Sequence, residues 1–475
     1  MHILFVTSEV AGIFKLGGLA DVSLSLPLQL VREGVTVTVA LPFYSTIDVT
    51  GVSGVGELAV DFAGKREIVM VFTKPLGPEG GTLLLFRHSK LNDYKNSPIQ
   101  ETFAFFSKAV STFYTYGMHL VKSPIDIVHC NDWHTALVPL LIGEQSKLMK
   151  KQTLQSHQVK TIITIHNLMY QGVYNDTIIE QLNAPRDLFH FIGNSHNPRI
   201  SFLREGLEYA DVVTTVSPTY AKEIVKTSHH DSIGDVLVKR RNSVVGIING
   251  IDTQSWNPET DSFLSETFSK SSVFTVKPKL KKALQREVGL LAENLPVLGF
   301  IGRIEPRQKG IELILEAVED LLKDHEFQVV ILGTGDKKTA QSVLTLEKAH
   351  KNRISFINTF DEGLAHRIYA GSDMLLVPSK FEPCGLTQMI AMGYGTVPIV
   401  RNTGGLADTV ADATTGFVFD QYSAKGLSSG ILRALAALKA ESVWKRLVSS
   451  CMDQDFSWER SAKKYIKLYD QLQKA

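Results

Sequence analysis

Short apolar runs alternate with helical patterns along this chain, and the alternation occurs twice. Residues 2–7, 35–40, 125–129 and 161–166 are short, largely apolar runs of strand length. The texture restarts at 297–301 and continues at 328–332, 354–357, 374–377 and 397–400. Short runs rich in apolar and β-branched residues suit buried strands of a parallel sheet. Between the runs, Ile311, Ile314, Leu315, Val318, Leu321 and Leu322 fall on one helical face. Glu312 and Glu316 sit near that helix start, where the helix dipole favours acids. A strand–helix alternation repeated in this way predicts two doubly wound α/β domains.

Length agrees with that division, because 475 residues exceed one ordinary domain. The expected boundaries are an N-terminal domain over 1–252, a polar Ser-, Thr- and Lys-containing linker over 253–282, and a C-terminal domain over 283–455. A final helical segment covers 456–475. No repeat of 20–50 residues and no low-complexity tract is visible.

Charge weighs against one large class of function. Fifty basic and 49 acidic residues leave a net charge of +1, a balance that argues against a nucleic-acid binder and leaves a local basic patch open. Cys130, Cys384 and Cys451 are three in number and form no CxxC pair, so reduced thiols in a cytoplasmic protein are expected. The apolar start, Met1 to Val6, is interrupted by Glu9 and lacks a basic leader, so it is expected as a buried first strand. No apolar stretch reaches membrane-spanning length.

Ligands of doubly wound domains bind outside the carboxyl ends of the strands. Polar and glycine-rich motifs at those ends are therefore the candidate site. Lys15-Leu16-Gly17-Gly18-Leu19 follows the first strand. Paired glycines allow close backbone approach, the next helix offers amide N–H groups, and Lys15 adds a positive charge for phosphate. The alternative is a turn with a surface lysine.

Asp132-Trp133-His134 ends a later strand. Asp132 can hydrogen-bond sugar hydroxyls, and Trp133 either stacks on a sugar ring or belongs to the core. The His spacing there matches no metal motif. His166, in Thr164-Ile165-His166-Asn167-Leu168, is placed to donate a hydrogen bond to a sugar or to be a satisfied structural residue.

Gly302-Arg303 with Lys309-Gly310 suggests a diphosphate clamp, or a solvated basic loop that includes Arg307. The densest motif is Pro378-Ser379-Lys380-Phe381-Glu382-Pro383-Cys384-Gly385-Leu386-Thr387-Gln388. It leads into a helix near 388–393, whose first amides would come from Gly385, Leu386 and Thr387 beside the Glu382 carboxylate. Gly-Gly-Leu-Ala-Asp occurs in both halves, at 17–21 and 404–408, as a shared device for close backbone approach or by chance.

Taken in order, these segments resemble the bacterial glycogen synthases and plant starch synthases over essentially the full length. Further matching segments are Met169-Tyr170-Gln171-Gly172, Ser217-Pro218-Thr219-Tyr220-Ala221, Gly246–Asp252 and Asp455-Phe456-Ser457-Trp458. The resemblance implies a GT-B fold of two Rossmann-like domains facing across a cleft. It implies a last helix, about 458–472, that crosses back to the N-terminal domain. It also implies a retaining glucosyltransferase that moves glucose from ADP-glucose to an α-1,4-glucan, without metal or other cofactor and in the cytoplasm.

Position by position, the resemblance puts Lys15 and the Gly18 backbone on the donor diphosphate. Asp21 and Asp132 fall near donor or acceptor, His166 by the transferred glucose, and Asn249 in the sugar pocket. It puts Arg303 and Lys309 on the diphosphate and Phe360 against the base. Glu382 would support the glucose, with Cys384, Gly385, Leu386 and Thr387 presenting backbone groups to it. Five departures stand out, one of them the region Leu91–Phe106, which matches the family poorly. Leu16 replaces the usual Thr, Lys380 replaces an Arg, Arg303 and Lys309 are six rather than five apart, and Ile390 stands where wider GT-B enzymes often carry a second Glu. Two other outcomes are a glucan phosphorylase, which needs a lysine-bound pyridoxal phosphate, and a non-catalytic glucan-binding protein. The pattern leaves the oligomeric state open.

Overall fold

A computed structural model describes residues 1–474 apart from 95–96, 122, 152–158, 195 and 227–231. The chain forms two compact units, Met1–Gly250 with Trp458–Ala475, and Ile251–Ser457. Each is built on its own sheet.

The first unit holds strands β1 (His2–Val6), β2 (Thr36–Pro42), β3 (Ser53–Phe62), β4 (Lys65–Gly77), β5 (Gly80–Arg87) and β6 (Ile127–Asn131). It continues with β7 (Lys160–Ile165), β8 (Val173–Asn175), β9 (Arg199–Ser201), β10 (Val212–Thr215) and β11 (Val244–Gly246). Its main sheet runs β11-β10-β7-β6-β1-β2-β5-β4-β3. Strands from β11 to β5 are parallel, whereas β5, β4 and β3 are antiparallel neighbours. The apolar runs read from the sequence are β1, β2, β6 and β7, whereas the parallel strands β5, β10 and β11 went unread. The antiparallel ribbon went unread because its outer strands are half exposed and carry no continuous apolar run.

The second unit holds β12 (Val297–Ile301), β13 (Gln328–Leu332), β14 (Ile354–Ile357), β15 (Met374–Val377), β16 (Val397–Arg401) and β17 (Phe417–Phe419). They form one parallel sheet in the order β14-β13-β12-β15-β16-β17. The helix Ile311–Leu321 buries Ile311, Leu313, Ile314, Ala317, Val318 and Leu321, so four of the six expected residues are buried, while Leu315 and Leu322 are only partly covered and Leu313 and Ala317 take their place. Each sheet reverses its winding beside its first strand, at β1/β6 and at β12/β15. Such a switch point opens a crevice at the strand carboxyl ends.

The stretch over 253–282 is part of the second unit and not a bare linker. A helix spans Val273–Glu287 and buries Val273, Val276, Leu280 and Leu284. Lys277 anchors it, with Nζ donating to the carbonyl oxygens of Tyr369, Ala370 and Tyr394 and to Thr396 Oγ1 at 2.6–3.1 Å. Polar composition hid this helix because its buried stripe is narrow and the rest faces water.

The terminal helix Trp458–Lys474 belongs to the first unit. Trp458, Ala462, Tyr465, Tyr469 and Leu472 pack in one core with Ile3, Phe5, Leu26 and Leu30. Close approach is possible because residue 250 is Gly; a Cβ there would lie 2.6 Å from Trp458 backbone atoms. Tyr469 Oη also meets His129 Nδ1 at 2.8 Å, while His129 Nε2 meets Thr164 Oγ1 at 2.6 Å. His129 is thus a fully buried core histidine, held neutral by burial with its pKa lowered to about 3.

Candidate active site

In the first unit the site begins with the loop after β1. Glu9, 7% exposed, turns its carboxylate onto the loop that carries the glycine pair. Its Oε2 accepts from the amides of Leu16 at 2.6 Å and Gly17 at 2.8 Å. Burial raises the Glu9 pKa, and the two amides pull it back down. Glu9 was not among the expected site residues, because nothing local distinguishes a glutamate that folds back seven residues. Lys15 Nζ lies 2.7 Å from Asp21 Oδ1, with both side chains nearly half exposed. The expected phosphate cation and the expected sugar-side carboxylate are therefore an ion pair. Gly18 opens the helix Gly18–Arg32, and no described atom would lie within 4 Å of a Cβ there.

The loop after β6 supplies Asp132 in a left-handed conformation, φ 55°. A non-glycine residue held there is strained, which is common where a site over-determines the backbone. Asp132 is 8% exposed, and its Oδ1 accepts from the amides of His166 at 2.7 Å and Asn167 at 3.4 Å. Asp132 thereby ties the loop after β7 to the loop after β6. Burial pushes its carboxyl up to about 7; the two amides act against that, and nearby Glu9 adds to it.

His166 keeps its ring neutral, because burial lowers its pKa to about 3. Its tautomer follows from the network. Asn131 Nδ2 donates to Val6 O at 3.0 Å, which leaves Asn131 Oδ1 to accept from His166 Nε2–H at 2.9 Å. Nδ1 then carries a lone pair. Nδ1 is thus left as an acceptor, where the sequence reading expected a donor. Trp133 settles as core: it is 6% exposed, stacks on His134 at 4.1 Å and packs edge-on against Phe103. Asn249 is buried, and its Oδ1 has no hydrogen-bond partner among the described residues. A buried amide oxygen left in that state is an acceptor waiting for a ligand or water.

In the second unit two loops lock together at the β12/β15 switch point. Arg303 is exposed and donates from Nη2 to Gln308 Oε1 at 3.0 Å. Lys380 N donates to Gln308 O at 2.7 Å, and Lys309 Nζ reaches Glu382 Oε2 at 2.7 Å. Ser379 Oγ donates to the same oxygen at 2.9 Å. Glu382 is 5% exposed, so its charge is compensated inside the loop cluster. The longer Arg303–Lys309 spacing is absorbed by a turn in which Lys309 N donates to Glu305 O at 3.1 Å. Gly310 closes it at φ 66°, where a Cβ would stand 2.2 Å from Pro378 O. The two cations expected on the diphosphate thus differ: Lys309 serves Glu382, and Arg303 is at the surface.

Cys384 is buried, and Gly385 turns the chain at φ 73°. Helix Thr387–Gly393 follows, with Leu386 at its N-cap and no side-chain cap bond. Its first amides are thereby left for a ligand or water. Phe360, beyond the end of β14, is 83% exposed. The second glycine pair has a different task from the first. A Cβ on Gly404 would lie 1.9 Å from Glu382 O, and one on Gly405 2.1 Å from Cys384 O. These glycines let the helix Gly404–Thr409 press on the Glu382–Cys384 loop, with Gly405 N donating to Glu382 O at 3.0 Å.

One titration follows from Asp132. Its carboxyl ionises near the ordinary 4 in the unfolded chain and near 7 in the folded one. Folding therefore loses stability as pH rises through that window. The ionised form is also the better acceptor for the His166 and Asn167 amides. Activity is expected to rise between pH 5 and 8 with an apparent pKa near 7. Asp132→Asn should be slower and flat over the same range; an unchanged profile in that variant would remove Asp132 from this role.

Strand order and switch-point loops define a protein of two Rossmann-like α/β units, the second with a buried carboxylate held between Lys and Ser. The comparisons with known proteins agree with that class. A model described as the starch synthase catalytic domain matches residues 2–239, and one described as glycosyl transferases group 1 matches 281–446. The glycogen synthase of Thermodesulfovibrio yellowstonii is 35% identical over 99% of this chain and 97% of its own length. That of Cellvibrio japonicus is 38% identical over 99% and 100%. The catalytic domain of Arabidopsis thaliana starch synthase IV, bound to ADP and acarbose, superposes with a TM-score of 0.87 at 31% identity, covering 100% of this chain and 99% of that one. The chain belongs to the glycogen and starch synthase family and is a hexosyltransferase of that kind, as the sequence resemblance implied. No helix among the described residues is long and apolar enough to cross a membrane.

Proposed function

We propose that this chain transfers glucose from ADP-glucose to the non-reducing 4-hydroxyl of an α-1,4-glucan, with retention at the anomeric carbon and in the cytoplasm. The observation that carries this reading is the Lys309–Glu382–Ser379 cluster beside Arg303 at the carboxyl end of β15. A carboxylate held by a lysine and a hydroxyl is a fixed anion that can stabilise a cationic sugar, and it is a poor nucleophile. The bond from C1 to the diphosphate oxygen breaks through an oxocarbenium-like state. The acceptor O4 bonds to C1 on the same face, and its proton passes to the departing diphosphate. Arg303 and Lys15 offset the charge that develops on the diphosphate, so no metal or other cofactor is required. Gly18 N–H and the amides of Gly385, Leu386 and Thr387 are assigned to donor oxygens. The Cys384 backbone and Asn249 are assigned to the glucose. His166, through Nδ1, accepts from a glucose hydroxyl, Asp21 and Asp132 lie on the sugar side, and Phe360 faces the base. ADP is chosen because the similar starch synthase IV structure holds ADP.

Purified protein incubated with glycogen and ADP-glucose should release ADP only when glycogen is present, with EDTA making no difference. UDP release from UDP-glucose instead would overturn the donor. Donor binding without turnover would mark a non-catalytic glucan binder. Phosphate-dependent glucose 1-phosphate formation together with pyridoxal absorbance would mark a phosphorylase.

A further inference from the structure

Behind the loop cluster of the second unit stands a second set of contacts. Tyr422, three residues past the end of β17, is half-buried. Its phenol donates to Glu312 Oε1. Burial, and then that bond, raise the Tyr422 pKa, so the phenol keeps its proton. Glu312 lies in the first turn of the helix Ile311–Leu321, three residues after Lys309. Its other oxygen, Oε2, is buried with no hydrogen-bond partner among the described residues. The carboxylate therefore depends on the phenol.

Arg401, the last residue of β16, holds the other side. Its Nη1 donates to Lys380 O, and to Ser379 O at 3.4 Å. Its guanidinium stands 5.5 Å from the centroid of the Tyr422 ring, and Lys380 Nζ lies 5.9 Å from the same centroid. Both cations are within the range at which an aromatic face attracts positive charge. Lys380 is the junction of the set. Its amide donates to Gln308 O at 2.7 Å, its carbonyl accepts from Arg401, and its ammonium group lies over Tyr422. Contacts thus run in a ring from Glu312 through Tyr422, Arg401 and Lys380 to Gln308, and back along the chain to Glu312. The ring ties the loop after β12, with Arg303 and Lys309, to the loop after β15, with Ser379 and Glu382.

We propose that Tyr422 and Arg401 are positioning residues for glucosyl transfer, which fix the Arg303–Lys309 loop against the Glu382 loop. The inference rests on the transferase reading above. Both residues act through the loops they hold. Without the phenol hydroxyl, the Glu312 carboxylate is a buried charge with no donor, and it turns to water. The first helical turn goes with it, and Lys309 and Arg303 move relative to Glu382. Misplacing a positioned group by about 1 Å can cost up to about 10² in rate, even from a distance.

Tyr422→Phe tests it, because the ring and both cation contacts stay. In this variant kcat should fall about tenfold and the Kd for ADP, from calorimetric titration, should rise about tenfold, with the KM for glycogen changed less than about twofold. Glu312→Gln keeps the acceptor and should stay within about threefold of wild type in both kcat and Kd. Glu312→Ala should repeat the Tyr422→Phe losses, and the double variant should lose no more than either single one, since one bond is being removed. A bond that serves stability alone would lower the melting temperature and leave kcat and the ADP Kd unchanged well below the melt. That result, or additive losses in the double variant, would overturn the proposal. ADP binding separates the two readings. If wild type binds ADP and transfers nothing to glycogen, the transferase reading fails, and the ADP Kd of the variants still decides whether the ring of contacts holds these loops. If wild type binds no ADP, both readings are overturned.

Discussion

Arg303→Ala and Lys15→Ala are each expected to lower kcat by about 10²–10³, the cost of removing one group that stabilises developing charge in a transition state. Both side chains lie at the surface of their own units. Arg303 is exposed, and the Lys15 side chain is 47% accessible. Exposed ion pairs contribute little to stability, so thermal melting should barely move in either variant. The pairing of a large kinetic loss with an unchanged melt is the informative result. Steady-state ADP release and a thermal scan of the same preparations would check it. Near-normal kcat in one variant would remove that residue from the diphosphate.

The second large effect separates the two glycine pairs. Gly405→Ala places a Cβ 2.1 Å from Cys384 O and 2.5 Å from Cys384 Cα. Backbone cannot give way as a flexible side chain does, so the Glu382–Cys384 loop must move. We expect a loss of about 3 kcal/mol or more in stability and, with Glu382 displaced, about 10²-fold or more in kcat. Gly18→Ala meets no described atom within 4 Å. Its melt should match wild type or rise slightly, since Ala is the better helix residue by roughly 0.5–1 kcal/mol. Its KM for ADP-glucose should rise, because the added methyl occupies space through which a ligand approaches the backbone. Equal destabilisation by both substitutions would show that the first pair is a packing device as well.

Much of this fold is visible in the sequence for one reason. Parallel strands covered on both faces are largely apolar runs, and β12, β13, β14 and β15 carry the residue ranges expected of them. Motifs at strand ends were legible by the same logic, as Asp132, His166, Arg303 and Glu382 show. Half-exposed β3 and β4 and the narrow apolar stripe of Val273–Glu287 were not legible. Neither leaves a run that periodicity can separate from a loop.

The sequence by itself determined the class: two strand–helix series, their glycine and acid–base motifs, and the family those motifs belong to. Local order along the chain carries all of this information. Only the tertiary structure decided what each motif contacts. The ion pair of Lys309 with Glu382 joins residues 73 apart, and the Glu9 clasp on Leu16 and Gly17 depends on a loop folding back. The tautomer of His166 depends on Val6 O orienting Asn131. The same five letters, Gly-Gly-Leu-Ala-Asp, leave open space at Gly18 and backbone contact at Gly405. Hydrogen-bond partners and contact distances arise from neighbours in space, and a string of residues does not hold them.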